Sequence, residues 1–489
     1  MDLLQKAADS TLLLDFSMFA AQLFKRIVVL CMLITALGWP CQIQALTIGE
    51  ERLIGQKILY SVRRDLRILD DPDISRYINR LGAQVLQVVG PQYFDYRFHV
   101  VKSEQFNAFA APAGMVFFYS GLIEAMHKED ELVSVLAHEI GHVASRHLAQ
   151  RLDKGTKVST ASLLLGLAGL ALGVPGLSQG LLTGSLAAGQ AINLRYSRED
   201  EEQADRLSFG WMLEMQRDPE AMKDMLRTMR RITRYRMGDV PQYLLTHPNP
   251  EARLSYVESL LELKAQKTAA PAVKKTDNFA FLRFRYRVLS QTTDLDRLRQ
   301  YCTITLAQDK DADVQRMARF GLALIEAENR RFDQALEHLA IVQEQYPAED
   351  ILKVDQAVIL QRAGRLNEAR AILEPQVRRN PSDIYGLFQL AKVEAATGNT
   401  ARAETLLQQV AQAMPEYPQV YFELGRIEAN RGADGVGIFY LGKYYLYQGE
   451  EDLAVQNLKR ARRDTGVPEK MREEAGQILA ELEHINKET

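Results

Sequence analysis

Between Ala323 and Gly437 the chain repeats with the period of about 34 residues that belongs to paired-helix repeats, and this restricts the fold more than any other feature. Ala323, Ala357, Ala391 and Gly425 form one evenly spaced column, and Ala335, Ala369, Ala403 and Gly437 a second. Pro347, Pro381 and Pro415 form a third, in step with Gly364, Gly398 and Gly432. Two small residues per period let a pair of antiparallel helices approach closely, and proline cannot continue the second helix. A unit of this size cannot bury its own apolar face, so successive units must stack into a solenoid.

The period and the small-residue positions are those of a tetratricopeptide repeat. Gly442, Gly449 and Ala454 look like the same motif displaced by half a period, because Gly442 falls midway between Gly425 and the place where the next period would put its equivalent. One irregular helix pair is expected there. Residues 281–310 are helical in pattern but lack the register residues. Upstream, Lys267-Thr-Ala-Ala-Pro-Ala-Val-Lys-Lys-Thr276 has neither apolar periodicity nor core-forming residues and reads as a linker. The expected layout is therefore a domain over 46–266, a linker over 267–280 and a repeat domain over 281–489, in a chain too long for one small core. The fold class is mainly α, an α+β domain with a small sheet followed by a helical solenoid. A solenoid of this kind holds peptides or proteins, and a formal net charge of −3 gives no reason to expect nucleic acid.

Residues 1–45 read as an export signal, with a true start that Met18 could also supply. Lys25-Arg26 precede an uncharged run from Ile27 to Trp39, and Ala45 offers a cleavage point. The run is short of the roughly 20 residues that span a bilayer, although an uncleaved anchor is an alternative. Cleavage would leave Cys302 as the sole cysteine of Cys31, Cys41 and Cys302, which excludes an intramolecular disulfide.

The chemistry is carried by His138-Glu139-Ile140-Gly141-His142, inside an amphipathic helical run with Leu132, Val135, Leu136 and Val143 at core spacing. Histidines one turn apart share a helix face and can offer two imidazoles to one tetrahedral ion, while the intervening Glu139 reaches metal-activated water as a general base. Such a site needs a third protein ligand on another element. Glu201 supplies it, and Asp205, one turn later, would accept the free N–H of a ligand histidine. Ala204 between them permits close helix packing, and Glu199 and Glu202 read as a solvated acidic face. Arg253, on the helix that Pro250 starts, is placed to neutralise a site carboxylate. His147 lies on the opposite face of a continuous helix from His138 and is rejected as a ligand.

His138-Glu139-x-x-His142, Glu201-x-x-Ala204-Asp205 and Leu245-Thr246-His247-Pro248 together resemble the HtpX and CAAX-prenyl-protease family of zinc peptidases, in an exported form that carries tetratricopeptide repeats. The resemblance covers roughly residues 46–266 closely and the repeats only in kind. It implies a gluzincin-type endopeptidase with one Zn2+ per chain on His138, His142 and Glu201, and Glu139 as base. His247 would either stabilise the oxyanion or occupy the open metal position as a gate. It also implies a periplasmic role in quality control of outer-membrane β-barrel proteins, with unfolded or misassembled clients held by the repeats, which would also meet the barrel assembly machinery. Disulfides that brace the repeats of some relatives cannot form here.

Two stretches are expected to shape the cleft. Phe106 to Ser120 reads as strand, turn, strand, and an edge strand at Asn107, Ala108 and Phe109 would pair with extended substrate. Val158 to Leu194 carries no charge, is rich in Leu, Gly and Ala, and is divided by Pro175; it reads as two helices that cover the site or touch a membrane surface. The alternatives to an exported endopeptidase are a repeat-based chaperone with little proteolysis and a membrane-integrated protease.

Overall fold

The computed structural model describes residues 47–154, 195–235, 242–266 and 272–487. The expected export signal over 1–45 and the uncharged stretch over 158–194 lie outside the described residues.

Helix α1 (Ile48–Asp65) starts at a capping box in which Glu50 N donates to Thr47 Oγ1 and Thr47 N donates to Glu50 Oε2. Helix α2 (Pro72–Val89) is capped by Asp71 and has proline at its first position, where no N–H is needed. A three-stranded sheet follows, β1 (Arg97–Val101), β2 (Ala108–Ala111) and β3 (Met115–Tyr119), in the order β1-β3-β2, with β1 parallel and β2 antiparallel to β3. The turn from β2 to β3 runs through two positive φ angles, 64° at Ala113 and 81° at Gly114. The expected strand, turn, strand over 106–120 is thus present, with β2 at the edge. Helices α3 (Ser120–Glu124), α4 (Glu129–Ala144), α5 (His147–Lys154), α6 (Arg198–Glu214), α7 (Glu220–Tyr235) and α8 (Gln242–Thr246) complete this half, and α9 (Pro250–Gln266) leads out.

The run containing His138 differs from an amphipathic surface helix. Every residue from Glu129 to His142 is buried, because α4 is enclosed by β2, α2, α6 and α7. Its acidic first turn is matched by partners. Tyr77 Oη donates to Glu129 at 2.5 Å, and Arg217 donates to Glu129 and Asp130, each at 2.8 Å. Thr276 and Asn278, in the stretch expected to be a linker, also bind there, Thr276 Oγ1 donating to Asp130 and Asn278 Oδ1 accepting from Glu129 N, both at 2.9 Å.

The remaining helices are α10 (Phe279–Thr292), α11 (Leu295–Gln308), α12 (Ala312–Glu328), α13 (Phe332–Gln345), α14 (Ile351–Arg362), α15 (Leu366–Arg379), α16 (Ile384–Ala396), α17 (Thr400–Ala413), α18 (Pro418–Asn430), α19 (Asp434–Gln448), α20 (Glu451–Arg463) and α21 (Glu469–Lys487). The alanines of the two repeat columns are buried between paired helices, and Gly364, Gly398 and Gly432 take left-handed φ of 78°, 86° and 81° in the turns that join them. The half-period displacement has a structural cause in α19. Its Gly437 lies against Gly425 of α18, while Gly442 lies against Leu458 of α20, so one helix serves two pairs.

Leu46–Thr489 is one compact unit. Its largest apolar core runs from Leu69 through α2, the sheet, α4 and α7 to α10 and on to Ile359 in α14. The repeats also curve back onto the first half: Arg76 pairs with Asp383 at 2.7 Å, and Arg63 donates to Tyr447 O at 2.6 Å beside Gly449. Among the described residues, no helix is long and apolar enough to cross a membrane.

Candidate metal centre

Three elements bring their residues to one point. Helix α4 presents His138, Glu139 and His142, α6 presents Glu201 and Asp205, and the chain leaving α8 presents His247. Helices α4 and α6 meet closely because Gly141 has no side chain: a Cβ there would sit 3.3 Å from Ala204 Cα. Helix α6 starts beside the site at a capping box of Ser197 and Asp200, so its first acidic turn is fixed in place.

One ligand atom each from His138, His142, Glu201 and His247 falls within 4.8 Å of all the others, and all four residues are buried. His138 Nε2 is 3.0 Å from His142 Nε2 and 3.4 Å from His247 Nδ1. Glu201 Oε1 lies 2.9 Å from His247 Nδ1 and 3.5 Å from His142 Nε2, and Glu201 Oε2 lies 3.5 Å from His138 Nε2. Glu139 stands beside them with no solvent exposure; its Oε2 has no hydrogen-bond partner, nor has the buried His247 Nε2. Glu139 Oε1 is 3.4 Å from Tyr243 Oη.

The outer nitrogens of His138 and His142 are held, which fixes their tautomers. His138 Nδ1 is 2.9 Å from Asp205 Oδ1, so Nδ1–H donates there and Nε2 keeps a lone pair facing the cluster. His142 Nδ1 is 2.9 Å from His147 Nδ1, and His147 Nε2 is 3.2 Å from Gln203 Oε1. A donor chain from His142 to His147 to Gln203 leaves the His142 Nε2 lone pair free in the same direction. Converging lone pairs at 3.0 Å, together with a carboxylate, form the donor set of a divalent metal site.

Arg253 organises the acids. It donates to both Asp205 oxygens, at 2.8 and 2.7 Å, and its Nη1 lies 2.9 Å from Glu201 Oε2. Burial alone would raise the Glu201 carboxyl, but Arg253 and then His247 outweigh it and hold Glu201 well below the carboxylate range. Asp205 is lowered in the same way by Arg253 and His138 against burial. Burial, reinforced by the charge of His138, drives His142 well below the imidazole range, into the neutral form that ligates. Burial and Arg253 also press on His138, but Asp205 and Glu201 prevail and hold it up at about 9.

The sequence expectations meet this geometry unevenly. His138, Glu139, His142, Glu201, Asp205, Arg253 and His247 are assembled in one cluster. Asn107, Ala108 and Phe109 are buried at the start of the edge strand β2, which packs on α4. Glu199 is exposed and Glu202 pairs with Arg198 on the outer face of α6. His147 stands outside the ligand group, but not because a continuous helix turns it away. Helix α4 ends at Ala144, Arg146 adopts φ of 52°, and the chain turns so that His147 points back to His142. Two aromatic residues escape sequence reasoning. Tyr196 stacks on His142 at 3.8 Å between centroids, and Tyr243 stacks on His247 at 4.3 Å. The one signal for Tyr243 is its position one helical turn before His247.

Family models match both halves of this chain. Residues 69–261 match the model of peptidase family M48, and residues 354–418 and 388–435 match the tetratricopeptide repeat. The chain is 27% identical to the beta-barrel assembly-enhancing protease of Yersinia pestis over 82% of its length and 74% of the relative's. It is 28% identical to the protein of the same name from Escherichia coli over 73% of this chain and 80% of that one. The mitochondrial metalloendopeptidase OMA1 of Schizosaccharomyces pombe is 31% identical over 38% of this chain and 52% of its own. The chain thus joins a metalloprotease domain of peptidase family M48 to C-terminal tetratricopeptide repeats.

Proposed function

We propose that this protein is a zinc-dependent endopeptidase of the cell envelope, exported to the periplasm, that acts in quality control of outer-membrane β-barrel assembly. The observation that carries the enzymatic part is the convergence of His138, His142 and Glu201 beside the unpartnered Glu139 Oε2. The β-barrel part rests on the relatives from Yersinia pestis and Escherichia coli, whose names carry that activity. Unfolded or misassembled outer-membrane proteins are the proposed clients, with the repeats contributing to their capture and to contact with the assembly machinery.

In this reading one Zn2+ per chain is held by His138, His142 and Glu201. When bound, it polarises the scissile carbonyl and lowers the pKa of water towards ~7. Glu139 takes the proton of the attacking water and delivers it to the leaving amine. Tyr243, 3.4 Å from Glu139 Oε1, orients that carboxylate. Asp205 keeps His138 in its ligating tautomer, and Arg253 keeps Asp205 and Glu201 charged. Asn107, Ala108 and Phe109 present the edge of β2 to an extended client strand. His247 Nδ1, within the ligand cluster, fills the place that water and substrate need, so His247 must withdraw before turnover. The buried edge of β2 requires the same opening.

That position of His247 also favours a second reading, in which the repeats act as a chaperone and cleavage is occasional. The test is the Glu139→Gln variant. The endopeptidase reading predicts a full complement of zinc, no cleavage of an unfolded outer-membrane protein, and crosslinked client in the pull-down. Undiminished cleavage by this variant would refute it.

A further inference from the structure

Three arginines on α10 alternate along the helix, and their surroundings differ. Arg283 pairs with Asp73 and Asp355, each at 2.7 Å. Arg287 pairs with Asp71 and Asp73 at 2.7 Å and with Asp355 at 3.4 Å. Arg285 points the other way, is 3% exposed, and pairs with no carboxylate among the described residues. Its contacts are neutral: the Glu124 carbonyl oxygen at 2.7 Å, Tyr301 Oη at 3.2 Å, and the Tyr301 ring at 5.3 Å. Arg285 Nε is buried without a hydrogen-bond partner. A buried cation without a counter-ion is costly, which is why buried charges are normally paired.

Arg285 lines a cavity of about 590 Å³ between the first half of the chain and α10–α11. Arg231 and Arg297 line it too, with Glu104, Glu124 and His127. Arg297 is already paired with Glu124, and Arg231, exposed on α7, stands at the rim. Burial, and after it the Arg285 and Arg231 charges, hold His127 below the imidazole range. The cavity is connected to the candidate active site through two aromatic side chains. Its wall includes Phe106, the residue before Asn107, and the Phe106 ring meets Tyr243 edge-on at 6.3 Å. Tyr243 in turn contacts Glu139 and His247. A client strand paired with β2 leaves that short strand at one of two ends. At the Ala108 end the chain reaches Phe106, which is part of the wall of this cavity.

We propose that the cavity is a substrate subsite for a peptide carboxylate, with the Arg285 guanidinium as its anchor and Arg231 at its rim. It rests on the endopeptidase reading and adds a substrate preference to it: an acidic group on one side of the cut. The carboxylate is supplied either by an Asp or Glu side chain or by the C-terminus of a client.

The test uses the full-length, zinc-loaded protein and matched peptides. Asp or Glu is compared with Asn or Gln at each position flanking the cut, and every peptide is made with a free and with an amidated C-terminus. A hydrogen bond to a charged group predicts that wild type prefers the acid by about 10-fold or more in kcat/KM at one position. Position-dependent preference identifies a side chain, and loss on amidation identifies the C-terminus. Arg285→Gln is expected to bring the acid-to-amide ratio to about 1, and Arg231→Glu, at an exposed position that folding tolerates, to shift it towards basic peptides. A purely structural Arg285 would slow both members of each pair alike and leave the ratio intact, which would overturn the subsite. Cleavage by wild type with no acid preference anywhere overturns the subsite alone. No cleavage of any peptide or unfolded protein overturns the endopeptidase reading with it.

Discussion

The ion network of α10 and the cluster around His138 both bury several charges, and they are completed differently. In the network, Arg283 and Arg287 of α10 meet Asp71 and Asp73 at the start of α2 and Asp355 in the repeats. Each cation has acids at salt-bridge distance, so the set is closed and acts as a rivet between the protease half and the solenoid. Around His138, Arg253 satisfies Asp205, but imidazole lone pairs converge and the Glu139 Oε2 is left over. That cluster is completed by something the polypeptide does not provide. Burial of charge thus marks structure where partners are matched and chemistry where they are not.

The contrast can be broken or sharpened by substitution. Glu201→Ala should lose bound metal and lower cleavage by about 10³-fold or more, since the metal supplies several kcal/mol of charge stabilisation; metal analysis and a peptide assay read both. Asp355→Ala leaves Arg283 and Arg287 short of an acid and should cost about 3–5 kcal/mol of stability in denaturant unfolding, with one metal still bound per folded chain. Equal loss of metal and stability there would erase the distinction between the two clusters. Asp205→Asn should weaken metal binding by about 10- to 100-fold, measured by competition with a chelator, while leaving the ligands in place. Arg362→Ala removes a pair with Glu328 on the exposed repeat surface. An exposed pair of this kind contributes on the order of 0.5 kcal/mol, so denaturant unfolding should barely register the change.

Much of the cluster is legible because it is written in local spacing. His138 with His142 and Glu201 with Asp205 are one-turn pairs, and a one-turn pair shares a helix face whatever surrounds it. The repeats are legible for a similar reason, since small residues and left-handed glycines recur where helices touch and turn. The remainder depends on contacts between distant segments. The full burial of α4 follows from what packs around it, and a pattern of Leu and Val cannot distinguish one covered face from four. The course of the chain at His147 is hidden because Arg146 breaks the helix with a positive φ that no residue type announces. Tyr196 and Tyr243 enter the site from separate elements, and neither carries a signature beyond being aromatic. The core shared from Leu69 to Ile359 is likewise invisible in a sequence whose strongest compositional break lies between them.

The most direct test of the central claim is to strip the full-length protein of metal and titrate zinc back while following cleavage of an unfolded outer-membrane protein. The account predicts no activity in the stripped protein and recovery that saturates at one zinc per chain. Full proteolytic activity in metal-free protein would contradict it.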